Sequence, residues 1–255
     1  MSSLPVVPWQ CPPKTVLVAV DFGAASARAL AIGGAVASAF DARLRALHAE
    51  RFEPPPYFTL EQIAGLEAER RAAQAATTDH LARFAAEASG YRVESIVVDE
   101  PPVDAILDAA ATADLIIAGT HGRRGPGRWW LGSVAERVVR AATIPVLVTR
   151  AADTPPRDVF ERVAFVHDGR NVEPAARKCA EHLAGSAGGS LIEGGPVTQC
   201  EAGVMQRASL VVLVTRSERP SWGITDSVAR VLGACQRPVL FIPEGWKTSQ
   251  AEGSS

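Results

Sequence analysis

Short apolar runs rich in β-branched residues alternate along the chain with longer stretches of helical period. TVLVAV (residues 15–20) has the length and composition of a buried strand. SARALAIGGAVASAF (26–40) predicts a helix whose small residues suit close packing on a sheet, and RLRALHA (43–49) alternates as a strand does. After a proline-rich loop, EPPPYF (53–58), residues 60–89 predict a long helix with charges on one side and Leu, Ile and Ala on the other. RVESIVVD (92–99) predicts a third strand, VDAILDAAATA (103–113) a third helix, LIIAG (115–119) a fourth strand, SVAERVVRAA (133–142) a fourth helix and VLVT (146–149) a fifth strand. Strict alternation of this kind predicts an α/β fold, a parallel sheet with helices on both faces.

Beyond a proline-containing link (151–158) the pattern starts again in shorter form. RVAFVHD (162–168) matches TVLVAVD (15–21), SLVVLVT (209–215) matches DLIIAGT (114–120), and DSVARVLGACQRPVLFI (226–242) matches GSVAERVVRAATIPVLV (132–148) with one deletion. Three matches in the same order predict an internal duplication. The second copy has room for one helix near 173–183, a short strand near 190–193 and one more helix, so it lacks a strand-helix pair, expected to be the second. The implied organisation is an arm (1–13), a first domain (14–150), a linker (151–161), a truncated second domain (162–245) and a tail (246–255) whose composition predicts disorder.

Composition narrows the function classes. With 255 residues, 47% of them hydrophobic, a sizeable core is available, and a net charge of −2 gives no basic footprint for nucleic acid. No apolar run has the length of a membrane span, and the N-terminal residues lack the pattern of a secretory signal. Cys11, Cys179, Cys200 and Cys235 show neither a CxxC pair nor metal-ligand spacing, which reads as thiols in a reducing cytoplasm.

The candidate chemistry lies in GTHGRRGPGRWWLGS (119–133), where a strand runs into a helix through a stretch with five glycines and three arginines. Glycines at such a junction permit positive φ and close approach of a ligand to the backbone, and the N–H groups of the following helix favour an anion. His121, Arg123, Arg124 and Arg128 add charge, unless the arginines are simply a solvated surface. Ser133 and Glu136 have the spacing of a capping box, a second use for the same helix end. Trp129 and Trp130 read as packing anchors ahead of an amphipathic helix, with base stacking as the alternative. No GxxxxGK[ST] is present, and the GPG at 125–127 does not continue as GxGxxG.

Gly119, Gly122, Gly132 and Ser133 together spell G-x2-G-x9-G-[ST], which resembles the ATP-binding motif of the universal stress proteins. Residues 16–30 resemble that family's first strand and helix, including the Asp at the strand end, and 134–150 resemble its last helix and strand. The resemblance covers residues 13–150 closely and 160–243 weakly. It implies a five-stranded parallel domain of the HUP type that binds ATP, usually with Mg2+. Asp21 is then expected near the ribose or phosphates, and Ala49 is expected to offer its backbone to the adenine. Gly119, His121, Gly122, Arg123, Gly132, Ser133, Val134 and Ala135 would line the ribose and phosphate end.

In the second copy Gly119 becomes Val214, Gly122 becomes Ser217 and Gly132 becomes Asp226, so a carboxylate stands where a phosphate would sit. One nucleotide site per chain is expected, with the two copies packed as an intramolecular pseudo-dimer through 145–150 and 238–243. A further homodimer or another protein partner is left open. The leading expectation is an ATP-binding module of the stress response, regulatory rather than catalytic. The alternatives are a weak ATPase or nucleotidyl-transfer enzyme using His121 as base, and a scaffold that no longer binds nucleotide.

Overall fold

A computed structural model describes residues 12–51, 60–120, 131–150, 156–167, 174–196, 202–215, 235 and 237–243. In chain order the elements are β1 (Thr15–Ala19), α1 (Ala24–Phe40), β2 (Arg43–Ala49), α2 (Leu60–Ser89), β3 (Val93–Val98), α3 (Pro102–Ala110), β4 (Leu115–Thr120), α4 (Ser133–Ala141) and β5 (Val146–Arg150). A turn of 3-10 helix (Pro156–Asp158) leads to β6 (Arg162–His167), α5 (Pro174–Ser186), β7 (Ser190–Pro196), α6 (Ala202–Arg207), β8 (Leu210–Thr215) and β9 (Val239–Pro243).

All nine strands form one sheet in the order β3-β2-β1-β4-β5-β9-β8-β6-β7. Every neighbouring pair is parallel except β5 and β9, which run antiparallel. The interior strands β1, β4, β5, β8 and β9 are buried on both faces, as a sheet covered by helices on each side requires, whereas the edge strand β3 is only half-buried. One face packs against α1, α2 and α5, with Leu30, Ile32 and Leu81 among its fully buried side chains. The other packs against α3, α4 and α6 around Ile106, Leu131 and Val138. Small residues let α1 lie close. A Cβ at Gly34 would stand 2.3 Å from the Ser89 carbonyl oxygen at the end of α2. Along the described side chains of α2 the apolar stripe is buried in the last turns, at Leu81 and Ala85, whereas residues 70–76 are all exposed.

The strands on the two sides of the β5–β9 seam follow one plan. The Thr15 N–H donates to Asp114 Oδ2 at 2.8 Å and accepts through its carbonyl from Asp114 N–H at 2.9 Å. The Arg162 N–H donates to Ser209 Oγ at 2.8 Å, and its carbonyl accepts from Ser209 N–H at 2.7 Å. Ile116 N–H reaches the Pro145 carbonyl as Val211 N–H reaches that of Pro238, both at 3.0 Å. The registers make Val214 the counterpart of Gly119, Ile242 that of Thr149 and Pro243 that of Arg150. At the seam Leu147 faces Leu240, its own counterpart, while Val146 faces Phe241 and Val148 faces Val239. A local two-fold axis therefore passes through the Leu147–Leu240 pair, the relation that an isologous contact has.

One expectation needs correction. The shorter half does not lack the second strand, because β7 pairs with β6 in parallel as β2 pairs with β1. The position without a strand is that of β3, and α6 follows β7 across residues 197–201, too short a span to hold a counterpart of α2. The physical reason is lateral: β3 is an edge strand, so its removal breaks one ladder, whereas removal of β2 would split the sheet.

Candidate functional site

In the order β3-β2-β1-β4-β5 the chain leaves β1 toward β2 on one side and enters β4 on the other. The connections on either side cover opposite faces, which opens a crevice at the C-terminal ends of β1 and β4, where open α/β sheets bind ligands. Every described residue singled out from the sequence lies at this edge. Asp21 is exposed, two positions past β1, and its Oδ1 accepts the Gly23 N–H at 2.9 Å. Ala49, half-buried, ends β2 and packs against the core on the α3/α4 face, as do Ala19 of β1 and Val98 of β3.

The two described glycines of the motif have different reasons for being glycine. A Cβ on Gly119 would stand 2.3 Å from the Ala25 carbonyl oxygen and 2.9 Å from Ser26 N, so the start of α1 rests directly on β4. Gly119 thereby joins the turn carrying Asp21 to the end of β4. Gly132 has φ +83° and ψ 146°, a backbone that L side chains rarely adopt. Among the described residues, the one atom within 4 Å of a Cβ placed there is Thr120 Oγ1, at 3.8 Å. Gly132 thus sits beside the end of β4.

Gly132, not Ser133, is the N-cap of α4, and among the described residues no side chain caps the helix. The capping box read from Ser133 and Glu136 is not formed: the carboxylate of Glu136 bonds Arg140 one turn on. Ser133 is exposed, Val134 half-buried and Ala135 buried at 4% exposure, so Ala135 can offer only its backbone. The exposed start of α4 leaves its first N–H groups directed away from the helix, as an anion requires. His121, Gly122 and Arg123 lie outside the described residues, as do Arg124, Arg128, Trp129 and Trp130.

Three features of this edge had no signal in the sequence. Phe22, with φ +59°, packs its ring on His48, His80 and Phe84. Thr149, beside Gly119 in β5, is fully buried with a hydroxyl that has no hydrogen-bond partner. Arg150 donates to the Cys235 carbonyl across the seam, and burial lowers the pKa of its guanidinium. Among the described residues no group of His, Cys, Asp and Glu could hold a metal ion, and no helix is long and apolar enough to cross a membrane.

The family model described as the universal stress protein family matches residues 13–150. A universal stress protein of Thermus aquaticus is 36% identical over 140 residues, covering 54% of this chain and 98% of that protein. One from Mycobacterium tuberculosis is 31% identical over 139 residues, 53% of this chain and 45% of the relative, so the match spans less than half of that protein's length. The crystal structure of a universal stress protein from Archaeoglobus fulgidus covers 91% of this chain and 99% of its own, with a TM-score of 0.67 at 16% identity, a likeness of fold.

Proposed function

Since the chain belongs to the universal stress protein family, which gives it a role in the stress response, we propose that it is a tandem, cytoplasmic member of that family that binds one ATP in its first half and acts as a nucleotide-responsive module. The carrying observation is Gly132. Its backbone takes a conformation that favours glycine, at the exposed start of α4 beside the end of β4. The phosphates would rest on the N–H groups of Ser133, Val134 and Ala135, with His121, Gly122 and Arg123 closing over them as the motif implies. Asp21 would face the ribose and phosphates, and its carboxylate oxygens suit a phosphate-bound Mg2+, a hard cation that prefers oxygen. The adenine would lie on the α3/α4 side of the sheet edge, over the small side chains of Ala19 and Ala49, taking its hydrogen bonds from the Ala49 backbone.

The second half carries Val214 in the place of Gly119 and Ile242 in that of Thr149, both buried. We read it as a truncated copy that pairs with the first and binds no nucleotide.

Thermal unfolding with and without ATP and Mg2+ tests this reading. Ligand at about a hundred times Kd adds about 2.7 kcal/mol to stability, so the midpoint rises by several degrees, and no phosphate is released over hours. Steady phosphate release that stops in His121→Ala while the thermal shift persists would establish an enzyme instead. The absence of a shift with any adenine nucleotide would establish a scaffold.

A further inference from the structure

Phe22 is the residue of this edge whose conformation is hardest to account for. It and Asp41 are the two non-glycine residues with positive φ among the described ones, +59° and +52°. Asp41 ends α1, a place and a residue type that take the left-handed region readily. Phenylalanine has no such ease, and its Cβ crowds the following carbonyl. The ring is gripped instead. His48 of β2 lies against it at 4.6 Å between centroids, His80 of α2 at 4.7 Å and Phe84, one turn along α2, edge-on at 5.5 Å. His48 is itself fixed, its Nδ1 donating to the Val20 carbonyl at 2.8 Å.

Phe22 is also the middle residue of the turn in which Asp21 Oδ1 accepts the Gly23 N–H at 2.9 Å. Rotation of Phe22 out of the left-handed region would swing that N–H away from the carboxylate. The position aligned with Phe22 in the shorter half is Gly169, which needs no ring to enter the left-handed region. Among the described residues that half also has no counterpart of α2, the helix that supplies His80 and Phe84. The ring at this position and the described helix that grips it are thus both features of the first half.

We propose that Phe22, clamped by His48, His80 and Phe84, is a positioning residue that aims the Asp21 carboxylate at the bound nucleotide. This rests on the reading of Asp21 as part of an ATP site. Were the ring only filler between α1 and α2, Phe22→Gly would cost stability and leave affinity unchanged.

A double-mutant cycle on ATP affinity, measured by calorimetry on the full chain, separates the two. Phe22→Gly keeps the turn's φ without strain and removes the ring; it is expected to weaken ATP roughly tenfold in an Asp21 chain and to add nothing in an Asp21→Asn chain. Phe22→Tyr keeps the ring and is expected to bind as wild type. His80→Ala, at an exposed position of α2, removes one side of the clamp and gives a smaller loss with the same dependence on Asp21, so the test stands even if Phe22→Gly folds poorly. Wild-type affinity in both Phe22→Gly and His80→Ala, or equal losses with and without the Asp21 carboxylate, would overturn the positioning role alone. No adenine nucleotide binding by the wild type would overturn it together with the reading on which it rests.

Discussion

The sheet has two halves of one plan, five strands before the seam and four after it, and they differ at their outer ends and at their C-terminal edges. In the first half two strands, β2 and β3, lie outside β1 under the cover of α1 and α2; in the second β7 alone lies outside β6, under α5. The interior strands keep their registers and even their end-of-strand hydrogen bonds. The edge that opens on the crevice keeps little: Gly119 gives way to Val214, Thr149 to Ile242 and Arg150 to Pro243. The pairing core of such a sheet is conserved by its own packing, because each inner strand must fit two neighbours and two helix layers. The residues at strand ends are under less of that packing constraint, so they can differ between the halves while the fold is kept.

The seam itself should be the most sensitive place in the comparison. Phe241, 1% exposed and facing Val146, belongs to the core shared by both halves, so Phe241→Ala should cost about 3–5 kcal/mol in denaturant unfolding. If the halves are one cooperative unit, a single transition moves; if they are independent, a second transition appears.

Gly119→Val should come next. It imports the second half's residue into the first, where the Cβ meets the backbone of Ala25 and Ser26, and a loss of about 3 kcal/mol is expected from overpacking. A loss near zero would mean that α1 can stand off from β4 as freely as its counterpart does. A milder change lies at the counterpart position: Val214, 8% exposed, leaves a small cavity when changed to Ala, and about 1–2 kcal/mol should be lost with no gain of nucleotide binding.

Arg150→Met should have the smallest effect. It removes the donor to the Cys235 carbonyl but keeps the aliphatic contact, and about 1 kcal/mol is expected, the lost hydrogen bond being partly offset by relief of the buried charge. The counterpart Pro243 has no side-chain donor, so Pro243→Ala should leave the seam unchanged in the same assay.

Much of the fold was legible because strand and helix periods differ and their alternation recurs. The pairing of residues 145–150 with 238–243 was implied by the resemblance to a family that pairs through its last strands, and the antiparallel seam bears this out. Which strand the shorter half lacks was not legible, since a deletion shortens the chain without saying which ladder it came from; lateral pairing decides that. At the site, the motif located Gly119 and Gly132 but gave them one meaning, whereas one glycine admits a helix backbone and the other frees a helix start. The cap at Gly132 was hidden because Ser133 and Glu136 also satisfy a capping pattern, and only the backbone angle at Gly132 settles where the helix begins. The grip on Phe22 had no sequence signal at all. Its partners come from β2 and α2, and a left-handed φ on phenylalanine is a property of the assembled turn.

The central claim is that the two halves share a fold and only the first binds nucleotide. Calorimetric titration of the nucleotide-free chain with ATP and Mg2+, beside the same titration of Gly132→Val, tests it most directly. The account predicts saturable binding at a single site per chain, lost in Gly132→Val, whose fold survives a backbone strain of about 1–3 kcal/mol. Two sites per chain, or binding that persists undiminished in Gly132→Val, would contradict it.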